Sequence, residues 1–327
     1  MPECSHVELA QVDPTLCEFD LPLRRRFFPL GFPLDLETNS PDVIQAAQAG
    51  WGHFSKAFDE APVRLALGVT DSDSMPSERS TFRSREHLMS VVADPENFLT
   101  CDFSCGYAFG WITRAVAADH PFLRYRFLSA AAHMLIEQSA LAPLHGALLM
   151  RNGCGVMLCG DSFAGKSTLA YACARAGWTY VSDDGTFLVR NRADRYAIGD
   201  PLTIRFREDA RHLFPELADQ LPVVRPNGKS AIEMFTHELP IKIAPGCSIE
   251  HVAFLNRRQH GQPRLRHYPK DQAWEEWGAY ASFGTDQVRA AQRRSHERLL
   301  QAGIWEMTYS HFDDAVARLE QLVDSGG

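Results

Sequence analysis

Apolar and polar residues repeat with period two in the first third of this chain and change to a helical period further on. Val63 to Val69 alternates as a strand, and His87–Ala93, Asn97–Cys105 and Tyr107–Val116 read as neighbouring strands, the last two forming a hairpin about Gly106. Leu30 to Leu36 reads as extended. Asn39-Ser40-Pro41 then opens a helix running to about Phe54, because proline suits the first helical turn. These elements, with a polar loop from Thr70 to Ser80, describe an N-terminal α+β region over residues 1–118. From Pro121 the pattern changes, and Phe122 to Ser139 repeats as a helix. Two short strands follow, Gly146–Met150 and Gly155–Cys159, joined through Asn152-Gly153, a strong hairpin signal. The second strand runs into a glycine-rich loop. Thr168–Ala176 then reads as a helix stopped by Gly177, and Trp178–Ser182 as a buried strand. Strand, loop, helix and strand in that order predict a βαβ unit, and so an α/β fold for residues 119–327. Towards the end, Gln287–Ala302 reads as a helix with a charged face, Trp305–Tyr309 as a strand, and a last helix starts at Asp313.

Composition narrows the picture. The 327 residues carry a formal charge of −8, which argues against a general nucleic-acid binder because phosphate contacts need a basic face. Arg24-Arg25-Arg26, Arg257-Arg258 and Arg293-Arg294 are local basic runs of the kind that solvated faces carry. No run approaches the roughly 18 apolar residues needed to span a bilayer, so no membrane partner is expected. Met1-Pro2-Glu3-Cys4 lacks the basic start and apolar core of a signal peptide. The eight cysteines show no Cys-x-x-Cys pair. Cys101 and Cys105, read as sharing one strand face, have no companion pair for a metal. Reduced thiols in a cytoplasmic protein are expected.

The chemistry begins at Gly160-Asp161-Ser162-Phe163-Ala164-Gly165-Lys166-Ser167, which matches the Walker A pattern G-x-x-x-x-G-K-[ST] at every required position. Glycines let the backbone wrap so that N–H groups point at phosphate oxygens, and the helix N-terminus at Thr168 adds partial positive charge. Lys166 is placed to bridge β- and γ-phosphates, and the Ser167 hydroxyl to hold Mg²⁺. A glycine-rich turn before a helix is the bland alternative. After the next strand come Asp183 and Asp184, at the edge of the sheet that carries the loop. Successive side chains on a strand point to opposite sides, so one carboxylate can meet metal while the other faces an acceptor hydroxyl. An Asp-Asp-Gly turn ending in Gly185 is the structural alternative. Arg205, Arg207, Arg225, Lys229 and Lys242 are candidate anion contacts of lower grade, with Arg225-Pro226-Asn227-Gly228-Lys229-Ser230 reading as a turn with two cations.

His145-Gly146-Ala147-Leu148-Leu149, Gly155 through Ser162, Gly165-Lys166-Ser167, Gly177 and Val181-Ser182-Asp183-Asp184 together resemble the catalytic domain of bacterial HPr serine kinase/phosphorylase over about residues 145–190. The resemblance implies a P-loop kinase core akin to phosphoenolpyruvate carboxykinase, with ATP and Mg²⁺ as cofactors. It implies Asp183 as general base, His145 supporting Asp183 or the transferred phosphoryl group, and Asp184 ordering Mg²⁺. Glu208 falls where an acidic metal ligand could lie. The chain departs from the family at several points. Phe163 stands where the family loop usually has glycine, and Thr168 where it has Glu. Only Ile204-Arg205 remains of the Glu-Ile-Arg-Gly-Leu-Gly signature, and Cys247-Ser248 replaces the Arg-Asn that follows Pro-Gly. A divergent kinase with an acceptor other than HPr is therefore expected, phosphorylating a Ser of a protein or peptide or the alcohol of a metabolite. A homo-oligomer is left open. The alternative is a nucleotide sensor or slow ATPase, which Phe163 and the lost signature motivate; no Asn-Lys-x-Asp motif points to a Ras-type GTPase.

Overall fold

The computed structural model describes residues 20–76, 80–161, 163–224, 228–278 and 284–325. The chain divides into two compact units between Leu135 and Ile136, where the sequence reading draws its line at 118/119. Among the described residues no helix is long and apolar enough to cross a membrane.

The first unit is built on a seven-stranded sheet: β1 (Leu23–Phe27), β2 (Leu34–Thr38), β3 (Val63–Thr70), β4 (Thr81–Arg85), β5 (Leu88–Asp94), β6 (Asn97–Asp102) and β7 (Tyr107–Thr113). Their order is β1-β2-β3-β7-β6-β5-β4. β2–β3 and β3–β7 are parallel, and the other pairs are antiparallel. Helix α1 (Pro41–Trp51) starts where expected, with the Ser40 hydroxyl accepting a hydrogen bond from Asp42 N–H and Pro41 in the first turn. The extended reading of Leu30–Leu36 is corrected: Pro29–Gly31 is a 3₁₀ turn, and strand structure begins only at Leu34. The shared face expected of Cys101 and Cys105 is also corrected. β6 ends at Asp102, so Cys101 is buried in the strand while Cys105 is exposed in the turn that Gly106, at φ +62°, completes. From His120 to Ser139 the chain is helical, with a π-type stretch over Arg124–Leu128.

The second unit contains a ten-stranded sheet and a three-stranded one. β8 (Leu141–His145) precedes the hairpin β9 (Ala147–Arg151) and β10 (Cys154–Cys159). Asn152 and Gly153 take φ of +51° and +81° at its turn, the left-handed pair that a two-residue hairpin needs. α2 (Lys166–Arg175) leads to β11 (Thr179–Ser182), β12 (Gly185–Val189), β13 (Tyr196–Gly199) and β14 (Thr203–Phe206). β15 (Val223–Val224), β16 (Ser230–Phe235), β17 (Lys242–Ile243), β18 (Gly246–Arg257) and β19 (Arg264–His267) follow. Helices α3 (Lys270–Gly278) and α4 (Asp286–Leu299), strand β20 (Gly303–Tyr309) and helix α5 (Phe312–Asp324) complete the unit. The main path runs β17-β11-β9-β10-β18-β13-β12-β8, with β20 also on β18 and β19 on β20, while β14-β16-β15 form the small sheet.

The simple βαβ unit expected from sequence is modified. β10 and β11 do not touch: β9 lies between them, antiparallel to both. Its hairpin with β10 brings Leu149 opposite Val156 on one side and opposite Tyr180 on the other. β10 and β11 are therefore parallel to each other one strand apart, and both point their C-terminal ends to the same edge. Alternation along β10 loads both faces of the sheet. Val156 and Leu158 pack with Leu169, Ala170 and Cys173 of α2 and with Phe312, Ala315 and Leu319 of α5. Met157 and Cys159 pack on the opposite side with Trp277 of α3 and Leu299 of α4. Buried residues thus pack both faces of the strand that feeds the loop.

Candidate active site

Among the described residues of the loop that joins β10 to α2, Gly160 (+140°), Phe163 (+77°) and Gly165 (+92°) take positive φ. Phe163 thus occupies a conformation suited to glycine, at a cost of about 1–2 kcal/mol for a residue with a Cβ. Gly165 is required by space as well. A Cβ there would lie 2.6 Å from the Tyr309 hydroxyl oxygen and 3.4 Å from the Phe312 ring. Tyr309 Oη also donates to the Ala164 carbonyl at 2.8 Å, so the loop rests on the junction of β20 and α5. Lys166 curls back beneath it: Nζ donates to the Gly160 carbonyl at 2.7 Å and to that of Asp161 at 3.2 Å. Burial lowers the pKa of this ammonium; the Asp184 charge works in the other direction. Ser167 and Thr168, half-buried, occupy the first turn of α2, whose leading N–H groups have no intrahelical partner. Ser162, read from sequence as part of the cradle, lies outside the described residues, as does Arg225.

One strand away, Asp183 and Asp184 diverge as their alternation requires. Asp183 is only 4% exposed. Its Oδ2 accepts the Arg205 backbone N–H at 2.9 Å, and burial, opposed by the Arg205 charge, pushes its carboxyl up to about 6. Asp184 is exposed, and its Oδ1 lies 2.9 Å from His145 Nδ1. Desolvation alone would raise Asp184, but the His145 hydrogen bond and the Lys166 and Arg205 charges hold it below the ordinary carboxylate value. His145, expected to support Asp183 or the transferred phosphoryl group, has its Nδ1 on Asp184. Strand pairing explains why: His145 ends β8 directly opposite Gly185, the residue after Asp184. Gly146 N–H donates to the Asp184 carbonyl at 3.2 Å, and Thr186 Oγ1 to the Gly146 carbonyl at 2.8 Å, while the Ser182 and Thr186 hydroxyls meet at 2.7 Å.

β14 carries the third group. Arg205 Nε donates to Glu233 Oε1 on β16 at 3.0 Å, and burial is outweighed by Asp183 and Glu233, which keep the guanidinium charged. Arg207, at the end of β14, lies over the Phe163 ring with the guanidinium carbon 3.3 Å from its centroid. Glu208 opens a 3₁₀ turn, exposed, with its carboxylate 3.5 Å from Arg211, and no described contact joins it to Asp184 or the loop. Lys229 and Lys242 are exposed on β16's approach and on β17. Among the described residues no group of three or more His, Cys, Asp or Glu is arranged to hold a metal. The structure thus gathers His145, Asp183, Asp184, Arg205 and the Gly160–Ser167 loop, and leaves Glu208 to a separate ion pair. Tyr309, Phe312 and the Ser182–Thr186 pair escaped the sequence reading, because nothing local marks a residue that supports a loop distant in the chain.

No protein-family model matches the chain, and no curated protein matches it. Among solved structures, the HPr(Ser) kinase/phosphatase from Coxiella burnetii is similar to it over 56% of this chain and 98% of its own, at 11% identity and a TM-score of 0.29. That similarity is distant.

Proposed function

We propose that this chain is an ATP-dependent phosphotransferase with a P-loop kinase core of the HPr kinase/phosphoenolpyruvate carboxykinase type, acting on a hydroxyl. The observation that carries the reading is the pairing of a phosphate loop with two carboxylates of unequal acidity on one sheet edge, with Asp184 close enough to act on the Lys166 charge. Lys166 and the first N–H groups of α2 bind the phosphates. Asp183, with a carboxyl near 6, is ionised at neutral pH yet basic enough to take a proton, as a general base requires. The acceptor oxygen attacks the γ-phosphorus, a new O–P bond forms, and the bond from phosphorus to the β–γ bridging oxygen breaks to release ADP. The acceptor proton passes to Asp183.

Mg²⁺ fits the residues present. It takes hard oxygen donors, commonly one or two carboxylates with phosphate oxygens and water, and the Ser167 hydroxyl and the ionised Asp184 supply such donors. When bound, it neutralises phosphate charge. His145 holds Asp184 in orientation through Nδ1.

Transfer of labelled γ-phosphate from ATP to pools of peptide and metabolite hydroxyls tests the proposal. Acceptor-dependent product that disappears in Asp183→Asn supports it; nucleotide binding without transfer to any pool sinks it. The second reading, a sensor or slow ATPase, is favoured by the Lys166 ammonium's bonds to its own loop and by the ring exposed at Phe163. Slow ADP release independent of acceptor is its signature.

A further inference from the structure

Phe163 and Arg207 form a feature that the transfer mechanism above does not use. The Phe163 ring is 73% exposed at the tip of the loop, on a backbone strained to φ +77°. The Arg207 guanidinium stacks over it at 3.3 Å. Two arginines near Arg207 in the chain are paired, Arg205 with Glu233 and Arg211 with Glu208. Among the described residues no carboxylate forms an ion pair with Arg207. Its charge also adds to the forces that lower the Lys166 pKa, so both cations act on one loop. A guanidinium lying flat on an aromatic face keeps its N–H edge free for in-plane hydrogen bonds, and its geometry matches phosphate bidentately. Asp184 and Asp161 act on the Lys166 charge, while no described carboxylate pairs with Arg207, so its guanidinium edge is left to an anionic ligand.

We propose that Arg207, braced on Phe163, is the residue by which this site distinguishes a nucleoside triphosphate from a diphosphate, donating to the γ-phosphate at the mouth of the loop. The proposal rests on the loop being a nucleotide site. The backbone cradle and helix N-terminus serve the phosphates common to ATP and ADP. Arg207 stacks on the exposed ring at the loop tip, while Lys166 holds the Gly160 and Asp161 carbonyls, and in this proposal it supplies the contact that the third phosphate fills. Phe163 is a positioning residue. Its ring fixes the plane of the guanidinium, which accounts for a bulky side chain where the backbone conformation suits glycine.

Calorimetric titration of the full chain with Mg²⁺ and either a nonhydrolysable ATP analogue or ADP tests this directly. Wild type binds the triphosphate more tightly than ADP. Arg207→Ala weakens the triphosphate about tenfold, the loss of one charge-assisted contact, and changes ADP affinity less than about twofold. Phe163→Leu, which keeps apolar bulk without a flat ring, shifts the ratio in the same direction by less, and Phe163→Tyr restores it. Equal loss for both nucleotides, or no loss, overturns the proposal while leaving the nucleotide site intact. Failure of wild type to bind either nucleotide overturns both the proposal and the reading it rests on. Arg207 is exposed, so circular dichroism and Tm of the variants are expected to match wild type.

Discussion

The loop from Gly160 to Gly165 and the edge carrying His145, Asp183 and Asp184 leave the sheet one strand apart and are held in different ways. The loop is a contiguous run of chain, shaped by positive φ angles at Gly160, Phe163 and Gly165 and propped by Tyr309 and its own Lys166. The carboxylate edge is assembled from strands distant in sequence: β8 brings His145, β11 ends at the aspartates, and β14 brings Arg205. Within that edge the two aspartates differ again. Asp183 is desolvated and titrates high; Asp184 is exposed, paired and titrates low. A contiguous binding element can tolerate substitution at a single exposed position, whereas an assembled edge places each charge by partners from other strands. Unequal acidity in adjacent carboxylates divides their work, the weaker acid suited to accepting a proton and the stronger to holding a cation or a histidine.

The largest expected effect breaks the comparison at Asp183. Asp183→Asn lowers kcat by about a hundred- to ten-thousand-fold, the range for a general base, with nucleotide affinity within about threefold of wild type. If the His145–Asp184 pair is the base instead, His145→Gln and Asp184→Asn suffer that loss and Asp183→Asn does not; rapid-quench kinetics on the three variants decide. Next is Lys166→Met, expected to weaken ATP binding by roughly 30-fold or more in calorimetry, since a hydrogen-bonded cation is truncated. His145→Gln is expected to raise the Mg²⁺ concentration needed for half-maximal rate by about tenfold, the usual cost of removing a group that orients a metal-binding carboxylate.

Asp183 also sets a pH dependence. With Asp183 as the proposed base, the rate is expected to fall tenfold per unit as pH drops below about 6 and to be flat above it, as a pH–rate profile checks. Stability moves in the opposite direction. The folded carboxyl titrates at about 6 against an ordinary 3.8, so between these values the native state binds more protons, and its stability falls as pH rises through that window. Asp183→Asn removes this fall and is expected to melt no lower than wild type at pH 7.5. A melting curve that shows Asp183→Asn clearly destabilised there contradicts the desolvation account. The smallest effect belongs to the loop. Phe163→Gly relieves the left-handed strain and is expected to raise Tm by about 2–4 °C, the equivalent of about 1 kcal/mol in a chain unit of this size.

Much of the fold was legible because it is local. Period-two alternation marked β3 and β5–β7, Ser40-Pro41 marked the start of α1, and Asn152-Gly153 marked the hairpin before the loop. The Walker pattern marked the loop itself, since its glycines answer backbone geometry within a few residues. The insertion of β9 between β10 and β11 was not legible, because either edge of a hairpin strand can accept a partner and alternation does not choose between them. β8, β13, β14 and the long β18 also went unread, their short apolar runs giving no distinct period.

By itself the sequence determined a phosphate-loop pattern between a strand and a helix, a pair of aspartates at a strand end, and a histidine ahead of them. It did so because hydrogen-bonding and steric demands on turns and helix ends are met by neighbours in the chain. The tertiary structure decided which aspartate the histidine serves, which is desolvated, and which arginine stacks on the loop. Those depend on strand order and burial, and the burial that pushes the Asp183 carboxyl up to about 6 comes from groups that no local pattern brings together.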